Sequence, residues 1–365
     1  MATEKLASEF PATTHDEWKA AAEKLLKGAP FDKIMLTQTP ETITLQPIYE
    51  KEILEKLPEA GTLPGQDGFL RGTSASGYRV QPWKIAQEIP YSDPATFNKA
   101  LLHDLNAGQN AVSINITGSN ALQFSSAADV QTAFKEISPE AIAFYFNSGD
   151  QAAAVAPLFL NWASAQQADL TKIEGAFNFD PLGELAATGQ LVSPLPALYD
   201  AAAELVKTVS SALPRFATLG VSGSPYQNSG ASVTEELGMQ LATGLEYLRA
   251  LGERGIEIDT AAKQIAFTFS LGGNFFMEVA KLRAARVLWA RIVAELGGNS
   301  SAQAMRQHAR TGLFNKTKHD PYVNMLRTTT EALSAVIGGV ESLTVGGFDE
   351  CIRVPEEFSR RIARN

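Results

Sequence analysis

The stretch IAFTFSLGGNFFMEVAKLRAARVLWARIVAEL, residues 265–296, decides the fold. It opens with a short run rich in aromatic and β-branched residues, Ile265–Ser270, and passes through Gly272-Gly273. It then continues as a long periodic apolar pattern from Asn274 to Leu296. The first part predicts a strand and the second a helix. Gly272-Gly273 reads as the turn between them, although a glycine pair ahead of a helix N-terminus could also cradle an anion. Arg283 and Arg286 fall on the helix and read as residues of its solvated face.

The same unit recurs along the chain. Strands are expected at Trp83–Ile89, Ala111–Ile116, Ala141–Asn147, Ile173–Asn178, Phe216–Val221, Ile265–Ser270, Ala304–Ala309 and Ser342–Val345. Helical patterns separate them. The first is capped by Asp93 with Pro94 at its first position. Ala127–Ile137, Gln151–Ala163, Leu195–Leu213, Ser232–Leu251, Asn274–Leu296, Tyr322–Ile337 and Glu356–Ala363 follow. Strands that alternate with helices pair in parallel, because a parallel pair needs a crossover. Eight such units favour a (β/α)8 TIM barrel, class α/β. An open doubly wound sheet is the alternative, kept open by Ala304–Ala309, which is poor in β-branched residues. Strand three carries Phe144, Tyr145 and Phe146. Alternation turns at least one of them inward, so the barrel axis is expected to be filled or narrowed.

Residues 1–70 read differently, as an N-terminal arm and linker ahead of a barrel over 71–365. Thr14 and Glu17 form a capping box for a helix running to about Leu26, with Gly28 as its stop. Ile34–Thr37 and Thr42–Pro47 suggest a hairpin around Pro40-Glu41. A Gly/Pro stretch (Gly61, Pro64, Gly65, Gly68) reads as a loop. Such an arm cannot bury much of its own apolar surface and is expected to lie against the barrel or a partner chain. The last helix reaches Asn365 without a cap and reads as a chain boundary.

Composition narrows the function. The 365 residues are 45% hydrophobic and carry a formal net charge of −9. That balance argues against nucleic acid and anionic membranes as partners. No apolar run approaches the roughly 20 residues that span a bilayer. The start, Met1–Phe10, lacks the apolar core of a secretory signal, and Cys351 is the only cysteine. A cytoplasmic protein without disulfides is expected. The four histidines, His15, His103, His308 and His319, show no metal-ligand spacing. There is no phosphate-loop or nucleophile-elbow motif.

In a barrel, chemistry sits at the C-terminal strand ends. Those ends supply Asn115, Thr117 and Gly118; Asn147, Ser148, Gly149 and Asp150; Asn178 and Asp180; Ser222 through Gln227; Ser270 through Asn274; His308 and Arg310; and Gly346-Gly347. The set is polar but holds no nucleophile-base pair. His308 is the one strand-end histidine, and its plainer reading is a hydrogen-bonded structural residue. Asp180 offers a carboxylate base or, more plainly, a cap beside Pro181 and Gly183.

The run Asn274-Phe275-Phe276-Met277-Glu278-Val279-Ala280-Lys281-Leu282-Arg283-Ala284-Ala285-Arg286 closely resembles the helix after strand six of the methylmalonyl-CoA mutase family. Phe69-Leu70-Arg71-Gly72, Pro82-Trp83, Ser222-Gly223, Gly230-Ala231 and Phe358 through Asn365 extend the resemblance across the chain. The stretch from about Thr117 to Arg215 diverges most. Catalytic chains of the family hold acyl-CoA along a barrel axis, and a separate C-terminal domain carries adenosylcobalamin. The resemblance therefore implies a mutase scaffold.

Position by position, several family contacts are missing. Catalytic chains read Ser-Gly-Tyr-His after strand five, where this one reads Ser222-Gly223-Ser224-Pro225. Proline offers no side-chain donor to a thioester carbonyl. Thr188 stands where an arginine clamps the substrate carboxylate. Asn178 replaces a glutamine, Gln81 an arginine, and His319 a glutamine. Tyr78 matches a tyrosine that sits near the cobalamin in catalytic chains. The catalytic positions are thus degenerate at Pro225, Thr188 and Asn178, and Tyr78, Gln81, Asn178 and His319 remain as vestigial substrate-binding candidates. The cobalamin-ligating Asp-x-His-x-x-Gly motif is absent from the sequence.

The resemblance is greatest to the small, non-catalytic subunit of a heterodimeric mutase. It implies a catalytic large subunit as partner and adenosylcobalamin in the complex, with none bound to this chain and acyl-CoA held weakly at most. The alternative is a catalytic acyl-CoA isomerase of the same family with altered substrate specificity. A CoA-binding or effector module is a third possibility.

Overall fold

The computed structural model describes residues 13–57, 59, 61–118 and 120–365, so the start Met1–Phe10 lies outside the described residues. The chain divides into two compact units, Met1–Gly61 and Thr62–Asn365.

In the first unit, Thr14 and Glu17 close the expected capping box on the helix His15–Leu25. The hairpin forms, with Thr37–Gln38 antiparallel to Thr44–Leu45. Its first arm begins later than the sequence suggests, because Pro30 starts a short helix, Phe31–Ile34, that takes up Ile34. None of the unit's described residues is buried. Leu25, Tyr49 and Leu54 are each more than half exposed.

The second unit is a closed barrel of eight parallel strands. They are β1 (Lys84–Glu88), β2 (Ala111–Asn115), β3 (Ala143–Asn147), β4 (Glu174–Phe179), β5 (Phe216–Ser222), β6 (Ile265–Leu271), β7 (Arg306–Thr311) and β8 (Ser342–Thr344). Ser342 and Leu343 pair with Lys84 and Ile85 to close the ring. All eight strands fall where the alternating pattern put them. β7 forms despite its composition because β6 and β8 pair with it on both sides. The crossover helices are α1 (Pro94–Asn106), α2 (Ala127–Ala133), α3 (Ala152–Ala165), α4 (Leu195–Ala212), α5 (Val233–Gly252), α6 (Phe275–Glu295), α7 (Val323–Gly338) and α8 (Glu357–Arg364). Asp93 caps α1 through the Thr96 amide at 2.8 Å. Three short helices escaped the pattern: Pro181–Thr188, Ser224–Gln227 and Ile258–Lys263.

Strand alternation sorts side chains into two cores. Phe144 and Phe146 of β3 and Phe267 and Phe269 of β6 face the helix layer, where Phe267 meets Trp289 edge-on at 4.8 Å. The inward face is built from small residues. Ala86, Ala111, Ala143, Ala176, Ala217 and Ala266 ring the axis and share one neighbour, Tyr145. Barrel interiors are ordinarily filled by branched side chains. Here the alanines leave room, and Tyr145 is the strand-three aromatic that points into it.

Buried charges fix the strand ends. Arg286 is fully buried rather than solvated. It donates to the carbonyls of Phe69 (2.9 Å), Leu70 (3.4 Å), Gly338 and Gly339 (3.3 Å), and to the Gln307 amide oxygen. Arg283 is half-buried and donates to the Ile337 carbonyl at 3.1 Å. These bonds tie the chain ahead of β1 to the end of α7. Lys281 is fully buried between Glu236 (2.5 Å) and Glu278 (2.6 Å) and donates to the Ser270 carbonyl at 2.7 Å. Glu278 accepts the Gly272 amide at 2.9 Å, so the turn before α6 is closed by the helix's own carboxylate. Burial, opposed by Lys281, pushes Glu236 up to about 7.

Replacing Lys281 leaves two buried carboxylates without a counter-charge. Lys281→Met is expected to lower unfolding stability in urea by about 3–5 kcal/mol. Adding Glu236→Gln should recover part of that loss, and a single-variant loss within measurement error would contradict the assignment.

Candidate functional site at the barrel axis and C-terminal mouth

The axis is occupied at mid-height. Tyr145 on β3 and His308 on β7 come from strands four positions apart in the ring of eight, on opposite walls. Their rings nevertheless stack at 5.1 Å with an interplanar angle of 30°, so the two side chains meet near the axis. His308 is held at both nitrogens, Nδ1 by the Ser342 hydroxyl at 2.7 Å and Nε2 by the Thr344 hydroxyl at 3.0 Å. Burial, reinforced by Arg310, pushes its pKa down to about 3, so the ring is neutral. Burial likewise raises the Tyr145 phenol to about 12. Neither group is poised for proton transfer near neutral pH.

Ion pairs stand at both ends of this stack. At the N-terminal end, Lys84 of β1 pairs with Glu174 of β4, and Arg215 joins the same carboxylate. At the C-terminal end, Arg310 of β7 bridges Glu88 of β1 at 2.8 Å and Glu350 at 2.9 Å. Asn115 donates to Glu88, and Asn147 donates to Asn115 at 2.8 Å. Burial opposes the Glu88 charge, but Arg310 and Asn115 outweigh it and hold the carboxyl below its ordinary range. Burial dominates at Glu350 and raises it.

Above this layer opens a cavity of about 490 Å³, lined by residues that include Asn178, Asp180, Glu184, Pro225 and Arg310. Asn178 reaches it through a distortion at the end of β4. Its φ is +46°, in the left-handed region that asparagine tolerates better than most residues. The β4–β5 register shifts at the same place. Gly220 sits opposite because a Cβ there would lie 2.7 Å from the Asn178 Cα. Among the described residues, the buried Asn178 Oδ1 has no hydrogen-bond partner. Asp180 caps Pro181–Thr188. It accepts the Gly183 amide at 2.9 Å, the Tyr247 hydroxyl at 2.5 Å and the Ser222 amide at 2.8 Å. Burial raises it to about 6 against those bonds. A carboxylate so fully engaged is a fastener between β4 and β5, not a free base.

The residues nominated from sequence do not converge. Asn178 and Pro225 line the mouth, Pro225 at the start of Ser224–Gln227 with no donor to offer. Thr188 is exposed at the end of its helix, where its hydroxyl donates to the Glu184 and Gln190 carbonyls at 2.9 and 3.0 Å. His319 is exposed in the loop after β7. Tyr78 and Gln81 precede β1 at the N-terminal end, where the Tyr78 hydroxyl donates to the Val340 carbonyl at 2.6 Å. The sequence reading passed over Glu88, Glu184 and Glu350. Glu88, a charge in phase with Ala86 at a strand end, carried a legible signal. Glu350 lies in a loop and carried none.

Among the described residues, no group of three or more His, Cys, Asp or Glu is placed to hold a metal ion. Also among them, no helix is long and apolar enough to cross a membrane.

The neutral His308 gives a pH signature. Its folded pKa lies below the usual 6.5, so the stability it contributes is present above 6.5 and is lost as pH falls towards 3. Urea midpoints measured across that window should fall with acid, and the fall should be shallower in His308→Gln. An unchanged slope in the variant would place the titrating group elsewhere.

Comparison with known proteins identifies the scaffold. The sequence matches the methylmalonyl-CoA mutase family over residues 38–122 and 117–365. It is 36% identical to the methylmalonyl-CoA mutase small subunit of Streptomyces virginiae, covering 99% of this chain and 58% of that protein. It is 35% identical to the small subunit of Porphyromonas gingivalis, covering 99% and 57%. Identity to the mitochondrial methylmalonyl-CoA mutase of Homo sapiens is 32%, covering 96% and 49%. The chain therefore spans about half the length of these relatives. With its closed parallel barrel and a match over most of its length, the chain belongs to the methylmalonyl-CoA mutase family.

Proposed function

We propose that this chain is a non-catalytic, structural subunit of an adenosylcobalamin-dependent methylmalonyl-CoA mutase, partnered by a catalytic large subunit that interconverts methylmalonyl-CoA and succinyl-CoA. The observation that carries the reading is the Tyr145–His308 stack on the axis. Acyl-CoA lies along that axis in catalytic chains, as the family resemblance implies. Threading it here would require breaking the stack and the ion pairs on either side.

The mouth supports the same reading. A substrate carboxylate needs a free cation, and Arg310 is shared between two carboxylates. Thr188 and Pro225 supply neither a clamp nor a carbonyl donor. The residues do not fit adenosylcobalamin as a resident group either. His308, the strand-end histidine of the barrel, has both nitrogens engaged inside it. In the proposed complex the cofactor belongs to the large subunit. The first unit, with exposed apolar side chains and no buried residue among those described, suits a role as a partner-contacting arm. We place the complex in the cytoplasm, and among the described residues no helix is long and apolar enough to cross a membrane.

The test is an activity assay of the purified chain with adenosylcobalamin and methylmalonyl-CoA, alone and with a large mutase subunit from the same source. No succinyl-CoA is expected from the chain alone, and co-purification with the large subunit is expected. Turnover of methylmalonyl-CoA by the chain alone would overturn the proposal. Turnover of a different acyl-CoA would favour an isomerase of altered specificity.

A further inference from the structure

The outer face of α7 is apolar, uncharged and symmetric about its own midpoint. Together with its N-cap Tyr322, the helix exposes Val323, Leu326, Thr329, Thr330, Leu333 and Ile337. Leu326 is 71% exposed and Leu333 50%, large fractions for leucines in the middle of a helix. At about 100° per residue these positions fall on one side of the helix. The two charges of α7 lie elsewhere. Glu331 is buried against Lys316 at 2.7 Å, and half-buried Arg327 donates to the Asn324 side chain at 3.1 Å. The result is a charge-free stripe about 22 Å long, at about 1.5 Å of rise per residue. A contiguous apolar surface of this kind marks an interaction site.

The order of the side chains names the occupant. Outward from the point between Thr329 and Thr330, the stripe reads threonine, leucine, valine and then a large apolar residue in both directions. Leu326 and Leu333 lie equally far from that point, as do Val323 and half-buried Val336, and Tyr322 and Ile337. A twofold axis through it lays α7 antiparallel on the α7 of a second copy. Leu326 then meets the second copy's Leu333, and the reverse contact forms by symmetry. At the crossing point the Thr329 hydroxyl donates to the Met325 carbonyl at 2.6 Å and the Thr330 hydroxyl to the Leu326 carbonyl at 3.2 Å. Close approach therefore strands no hydroxyl donor. Charge selects the same occupant. The chain carries a net −9, so two copies repel over most of their surfaces. At this face neither presents a charge to the other, and a partner recognised by charge would find nothing to pair with.

We propose that α7 is a homotypic interface, through which two copies of this chain pair antiparallel about a twofold axis between Thr329 and Thr330. A single helix pair is at the small end of specific interfaces, so the dimer is expected to form and dissociate in the micromolar range. The proposal goes beyond the structural-subunit reading and does not rest on it.

Sedimentation equilibrium of the purified chain across the micromolar range tests the proposal. The mass should rise reversibly from 39.2 kDa towards twice that value. Leu326→Glu/Leu333→Glu sets like charges opposite each other twice and should weaken association by about tenfold or more. Circular dichroism should stay unchanged, because both side chains are exposed. Leu326→Lys/Leu333→Glu also charges both positions but opposes unlike charges in the antiparallel register, and should recover association relative to the first variant. Leu245→Glu, at an exposed leucine on α5, should leave association as it is. A folded wild-type chain that stays monomeric throughout would overturn the proposal. So would association that survives Leu326→Glu/Leu333→Glu, or that Leu326→Lys/Leu333→Glu does not recover. A monomeric wild-type chain whose Leu326→Glu/Leu333→Glu variant loses co-purification with a large mutase subunit would assign the face to that partner instead, and the homotypic proposal would fail.

Discussion

Tyr145 and His308 meet across the barrel, and much of the interior is arranged around that contact. A ring of six alanines opens a space that an ordinary barrel would fill with branched side chains. The stack fills it from opposite walls, and Ser342 and Thr344 fix the histidine so that the ring cannot turn away. An aromatic pair of this kind contributes only about 0.5–1.5 kcal/mol beyond its burial. Its importance is positional, since the pair occupies the space that the small residues leave at the axis.

The charges above and below follow from the same geometry. A polar barrel interior cannot leave carboxylates or guanidinium groups unpaired. Glu174 is therefore met by Lys84 and Arg215, and Arg310 by Glu88 and Glu350. Outside the strands, Arg286 and Lys281 do similar work from one helix, gathering carbonyls and carboxylates from distant segments. In the proposed structural role, these contacts stand where an acyl-CoA passage would have to run. The mouth left above them is lined by Asn178, Asp180, Glu184 and Arg310.

Much of the fold was legible because its signals are local. Period-two strands and periodic helices identify themselves within a few residues, and Asp93-Pro94 marks a helix start in two. Pro181–Thr188 was missed because Asp180, Pro181 and Gly183 read equally well as a capped loop. The burial of Arg286 was missed for a different reason: its partners, Phe69 and Leu70, lie more than 200 positions away in sequence. The pairing of Lys281 with Glu236 crosses 45 positions and is equally invisible. For the site, the family resemblance led to the expectation that Thr188 and Pro225 stand in place of family contacts. It could not show that Tyr145 and His308 face each other, which depends on strand order and closure.

The central claim is that the axis does not admit a CoA ester. A crystal structure of this chain grown with a millimolar non-hydrolysable acyl-CoA analogue tests it most directly. The account predicts an unbroken Tyr145–His308 stack and no ligand density between the alanine ring and the mouth. A pantetheine arm running through the axis, with Tyr145 displaced, would contradict it.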